Sequence, residues 1–155
     1  MNKYLKLALC FLPPLVAGSF AGISTATNVN NWYSDLVKPV FNPPNYLFGP
    51  VWTILYVLMG ISFFIIMKSP SSPQRTKATF IYWLQLILNF CWSFIFFKFH
   101  WIGFAFLEIV ILWLCILTMI FRFEKLNKRA AYLQLPYLGW VLFASILNGS
   151  IWWLN

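Results

Sequence analysis

The residues of this chain that could do chemistry are suited to stacking and hydrogen bonding rather than to proton transfer. Its acids are Asp35, Glu108 and Glu124, and its one histidine is His100. They assemble no Ser/His/Asp set, no pair of catalytic carboxylates and no His/Cys/Asp/Glu cluster at metal-ligand spacing, and the glycines form no phosphate-cradling loop. Cys10, Cys91 and Cys115 stand singly in apolar segments without a CxxC pair, as buried thiols do. What recurs instead is tryptophan, tyrosine and amide. Gln85, Asn89 and Ser93 follow one another every four residues, with Trp92 beside them, which places them on one face of a helix. Trp140, Ala144, Leu147 and Asn148 form a second stripe, with Pro136 one turn before it, and Trp52 with Tyr56 forms a third. As walls of one pocket, these residues offer ring faces to a flat ligand, amides to orient it, and room above Ala144.

The elements that must hold these stripes are membrane helices. A chain of 155 residues that is 61% hydrophobic and only 9% charged lies far outside the soluble range. Five stretches, residues 5–25, 48–67, 76–97, 102–121 and 130–154, are long enough to cross about 30 Å of hydrocarbon as helices. No stretch alternates as a membrane strand would, so the fold class is an all-α integral membrane protein, a five-helix bundle in one domain over residues 1–155. The first run follows Lys3 and Lys6 as a signal peptide would. Its length, its Pro13 and Pro14, and the close-packing pair Gly18 and Gly22 favour a retained span. The connections around SPSSPQR and KFHW are short, so sequential helices are expected as up-down neighbours.

The net charge of +8 sits at the ends of apolar runs and fits no nucleic-acid motif. With five spans, Lys3, Lys6, Lys68, Arg75, Lys77, Arg122, Lys125, Lys128 and Arg129 fall on one side, and only Lys38 and Lys98 on the other. The positive-inside rule then puts the amino-terminus in the cytoplasm and the first loop and carboxyl-terminus opposite.

That first loop, within residues 32–52, reads WYSDLVKPVFNPPNYLFGPVW. Pro39, Pro43, Pro44 and Pro50 keep most of it out of regular structure, yet Trp32, Tyr33, Phe41, Tyr46 and Phe48 make it too apolar for a solvated linker. It is expected to fold down as a stiff lid over a pocket in the outer half of the bilayer, where Asn89 and Asn148 lie at one depth. An aromatic belt in the lipid headgroups is the other reading of the same residues. Glu108, the one acid deep in a span, is expected to be protonated, hydrogen-bonded or paired, with Lys38, Asn89 or a backbone group as partner. His100, in an outer turn, reads as an interfacial residue rather than an axial haem ligand.

The segments WYSDLVKPVFNPP, GPVWTILYVLMG, QLILNFCWS and LPYLGWVLFASILNGSIWWLN resemble, in order and spacing, those of the TspO/MBR family. This is the family of tryptophan-rich sensory proteins and translocator proteins, the peripheral benzodiazepine receptors. The resemblance implies a five-helix bundle, often a homodimer, that takes porphyrin, haem or sterol-like ligands and synthetic benzodiazepine-site drugs, with no cofactor required and no metal. It makes Trp32, Tyr33 and Pro44 lid residues, and Trp52, Tyr56, Asn89, Phe90, Ser93, Trp140, Ala144, Leu147 and Asn148 wall residues. It also implies a second function, light- and oxygen-dependent degradation of porphyrin, with Trp140 and Trp32 as catalytic candidates. Glu108 stands where many members carry Asp. Gly149 replaces the tyrosine of the animal cholesterol pattern, and no basic tail follows, so the ending resembles bacterial members and speaks against cholesterol import.

Overall fold

The computed structural model describes residues 1–155 and is all helix and loop. The elements are α1 (Lys3–Val29), a short α2 (Trp32–Asp35), α3 (Phe48–Lys68), α4 (Pro73–Ser93), α5 (Ile102–Glu124), a short α6 (Lys128–Tyr132) and α7 (Leu135–Leu154). Five of its helical stretches are long and apolar enough to cross a membrane. Their outward faces carry Phe20, Ile23, Ile54, Phe80, Ile87, Leu107, Phe121 and Ile146 exposed, as a bilayer requires and water would not tolerate. The chain is an integral, multi-pass membrane protein.

The helix ends follow local chemistry. Ser72 caps α4, its hydroxyl accepting from the Arg75 N–H, with Pro73 in the first turn where its missing donor costs nothing. Asn127 caps α6 by accepting from the Arg129 and Ala130 N–H groups. Beyond Ser93 the chain widens into a π-turn over Phe94–Lys98, closed by Phe99 N–H donating to the Phe94 carbonyl. It reverses through His100, whose φ of 60° is the only left-handed backbone among non-glycine residues. The expected fifth span, residues 130–154, is not one helix. Leu133 and Gln134 break it, because Pro136 offers no N–H and its ring favours the start of a helix rather than its middle.

Sequential packing holds only in part. α1 packs on α3, α4 on α5 and α5 on α7, while α4 also lies against α1, and α3 meets α6. The spans thus close into a ring in the order first, second, fifth, fourth, third. The backbones of α3 and α7 stay apart, and large side chains bridge them, Trp52 with Tyr137 and Phe48 with Trp140. The end bearing the first loop is called the roof end below, and the end bearing Lys68, Arg75 and Lys125 the basic end. The main core, around Met59, Phe63, Tyr82, Ile116 and Phe123, fills the basic half. A smaller cluster of Val29, Tyr33, Phe96, Phe97, Leu147 and Ile151 lies under the roof.

Of the Gly18 and Gly22 pair, only Gly18 makes a close approach inside the protomer. A Cβ on Gly18 would meet the Tyr56 ring at 2.5 Å, whereas one on Gly22, a turn further toward the roof, meets nothing within 4 Å. Gly60 lets Phe11 approach in the same way, its Cβ position lying 2.5 Å from the ring.

Candidate ligand cavity beneath the roof

A cavity of about 400 Å³ lies between the two apolar clusters. This is within the size range of small-molecule sites. α3 supplies Phe48, Trp52 and Tyr56 to its wall, α4 and the π-turn supply Trp92, Ser93, Phe96 and Phe97, and α7 supplies Trp140, Ala144, Leu147, Asn148 and Ile151. Tyr33 and Asn45 close it above. The long face along α1, from Leu15 through Gly18, Gly22 and Thr25 to Val29, was not anticipated from sequence. Small apolar residues carry no chemical flag, and the spacing of Gly18 and Gly22 was the one available signal.

The roof is pinned at several points. The Tyr33 hydroxyl donates to the Asn42 side chain at 2.6 Å, and the Lys38 ammonium donates to the carbonyls of Tyr33, Leu36 and Ser34. The Asn155 amide, at the end of α7, bonds both the N–H and the C=O of Val37. Trp32 stacks on His100 with ring centroids 3.9 Å apart and meets Phe96 edge-on. Tyr33 is buried among Phe48, Phe96 and Phe97, and this burial pushes its phenol up to about 12.

Of the residues marked out by sequence, Tyr33, Trp52, Tyr56, Ser93, Trp140, Ala144, Leu147 and Asn148 border the cavity, and four others do not. Trp32 lies on the far side of Phe96, held by His100. Pro44 precedes the 3₁₀ turn Asn45–Leu47 in the loop and is exposed, and it is the neighbouring Asn45, also exposed, that borders the cavity. Phe90 packs on Phe94 one turn along its own helix, on a face away from the cavity.

Asn89 belongs to a layer below the cavity floor. It accepts from the Tyr56 hydroxyl at 2.6 Å and donates to the Tyr137 hydroxyl at 2.8 Å, and Tyr137 donates onward to Gln85 at 2.8 Å. Asn148 sits higher, accepting from the Trp92 indole and donating to the Ile102 carbonyl at the start of α5. The two amides therefore do not share a depth, although both stripes face inward. Tyr137, fully buried at the centre of the lower network, was missed, although it continues the stripe of Val141, Ala144 and Asn148 by helical spacing.

Glu108 is buried with neither carboxyl oxygen hydrogen-bonded. The two side chains named as conceivable partners are engaged elsewhere, Lys38 on roof carbonyls and Asn89 on two tyrosines, and no backbone group bonds the carboxyl either. The Trp140 Nε1–H is likewise buried without an acceptor. His100 lies outside the cavity wall, its ring face covered by Trp32.

The model of the TspO/MBR family matches residues 10–154. The tryptophan-rich protein TspO of Archaeoglobus fulgidus is 42% identical over 153 residues, 97% of each chain. The tryptophan-rich sensory protein of Cereibacter sphaeroides is 32% identical over all of this chain and 95% of its own. The translocator protein of Ovis aries is 32% identical over 78% of this chain and 73% of its own.

Proposed function

The chain belongs to the TspO/MBR family, and from that premise we propose that it binds flat, largely apolar ligands of the tetrapyrrole class in the cavity beneath its roof. The observation that carries this reading is the cavity wall itself. Trp52, stacked with Tyr56 at 5.7 Å, and Trp140 offer ring faces, while the small Ala144 leaves space beside them. Ser93 and Asn45 bring polar groups to the wall and the roof side, where a ligand's polar substituents would lie. Porphyrin, haem and sterol-like molecules share this chemistry. In this reading the ligand is sensed or passed on rather than altered, the amino-terminus is cytoplasmic, and the protein works as a homodimer.

Titration with protoporphyrin IX in lipid nanodiscs, followed by quenching of tryptophan emission, tests the proposal. Binding is expected to saturate, and Trp52→Ala to weaken it by about tenfold, roughly 1.4 kcal/mol of lost stacking. Linear, unsaturable quenching, or the same dissociation constant for Trp52→Ala, rejects it.

A second reading is supported by the indole of Trp140 at the cavity wall. There a bound porphyrin excited by light and oxygen would have an oxidisable ring against it. The expected sign is porphyrin absorbance lost under illumination in air, faster with wild type than with Trp140→Phe. Equal loss with both rejects it. The position of Trp32, behind Phe96, gives that residue no direct part.

A further inference from the structure

Most of the cavity lining is buried or half-buried, and apart from Asn45 in the roof its exposed members gather along one seam. Ser19, Gly22 and Ala26 of α1 and Gly49 and Thr53 of α3 border it, and each of them is also exposed on the outer surface of the bundle. Lower down the same two helices are in tight contact, with Gly18 against Tyr56 and Gly60 against Phe11. Above that point they splay, and a Cβ built on Gly22 or on Gly49 meets nothing within 4 Å. The seam runs from the roof end of α1 to Ser19, a helical rise of about 15 Å, and so lies in one leaflet's hydrocarbon.

The chemistry of the seam suits lipid rather than water. Its hydroxyls are turned back onto their own helices, Ser19 to the Leu15 carbonyl at 2.7 Å, Thr25 to Ala21 at 3.0 Å and Thr53 to Gly49 at 2.9 Å. No donor at the edge is left to be satisfied by water, as a gap facing hydrocarbon demands. The roof, by contrast, would have to break the Asn155, Lys38, Tyr33 and Trp32 contacts before anything entered from above.

We infer that ligands enter and leave the cavity sideways, from the acyl-chain region of the roof-side leaflet, through the seam between α1 and α3. The inference rests on the proposed binding function and adds a route and a ligand source. The occupant is a flat apolar molecule already dissolved in the bilayer, and Gly22 and Gly49 set the width of the passage.

Stopped-flow measurement of protoporphyrin IX binding and release in nanodiscs tests this with Gly22→Leu and Gly49→Leu. Both substitutions replace a helical glycine with a better helix former, and a Cβ at either position meets nothing within 4 Å, so folding is expected to be retained, which an unchanged thermal midpoint checks. The expected result is that association and dissociation both slow by about tenfold or more, for the helices can no longer pass the ligand. A residue that served only as wall would weaken binding by speeding release, and that pattern overturns the route, as do unchanged rates. Asn155→Ala, which loosens the roof, is expected to leave both rates as they were, and acceleration by it would place the entrance above. Ready disulfide dimers of Gly22→Cys would show a second copy covering the seam and would also overturn the route. Absence of saturable binding by the wild type would instead bring down the cavity reading itself.

Discussion

The basic half and the roof half of the bundle are made from the same helices and similar residues, yet one is filled and the other hollow. In the basic half Phe63 stacks on Tyr82 with centroids 3.9 Å apart, Phe11 lies over Gly60, and the Ser62 hydroxyl reaches the Ala130 carbonyl of α6 at 2.7 Å. In the roof half the aromatic rings stand around a space rather than in it. The difference lies in how the bulky residues are paired. Gly60 in the basic half receives the Phe11 ring from the facing helix, whereas Gly22 and Gly49 beside the hollow receive none. A close-packed half keeps the helices in register, so an unfilled half can persist without collapsing. The hollow is therefore a property of the whole ring of helices.

The largest expected effect tests that contrast on equivalent glycines. Gly60→Val drives a side chain into Phe11 and is expected to cost about 1–3 kcal/mol, seen as a lower thermal midpoint in detergent. Gly22→Val, facing open space, is expected to cost nothing measurable, and equal losses would erase the distinction between the halves. Next in size is Tyr137→Phe, which strands the Asn89 donor and the Gln85 acceptor beneath the cavity floor. A loss of about 1–2 kcal/mol is expected, and no loss would mean that the network does not brace the boundary between the halves.

The roof supplies the smaller effects. Burial holds Tyr33 in its neutral form, with its phenol raised from 10 to about 12. The stability it contributes is complete below about pH 10 and is lost as pH rises through about 12. Protease sensitivity of the loop is therefore expected to rise across that window in the wild type and to show no such rise in Tyr33→Phe. The smallest effect is expected from Asn155→Ala, which removes the bonds to Val37. It should increase loop proteolysis with a cost of about 1 kcal/mol or less, and a global loss of stability would show that roof and bundle are not separable.

Much of this was legible in the sequence because lipid makes polarity informative. Gln85, Asn89 and Ser93 had to face inward, and all three are buried. The five spans followed from length and hydropathy, and departed from the helices chiefly at their ends and at the break before Pro136. What could not be read was which helices touch. The spacing of amides gives a face but not the partner of that face, so Asn89 was placed in the wall when Tyr56 and Tyr137 had already claimed it. The contribution of α1 went unseen because it consists of space, and glycine at positions 18 and 22 announces close approach and absence of contact with the same letter. The prolines and aromatics marked the roof, but the pinning of Trp32 by His100 depends on a turn whose direction is set by one left-handed residue.

The most direct measurement fills the hollow and asks whether binding goes with it. Ala144 borders the cavity from α7, and Ala144→Phe puts a ring into that space. Protoporphyrin IX titrated into nanodiscs of each protein should bind the wild type saturably and Ala144→Phe about tenfold more weakly or worse, with the same helical content in both. Identical binding curves for the two would contradict the account, because a ligand indifferent to a filled cavity is not held in it.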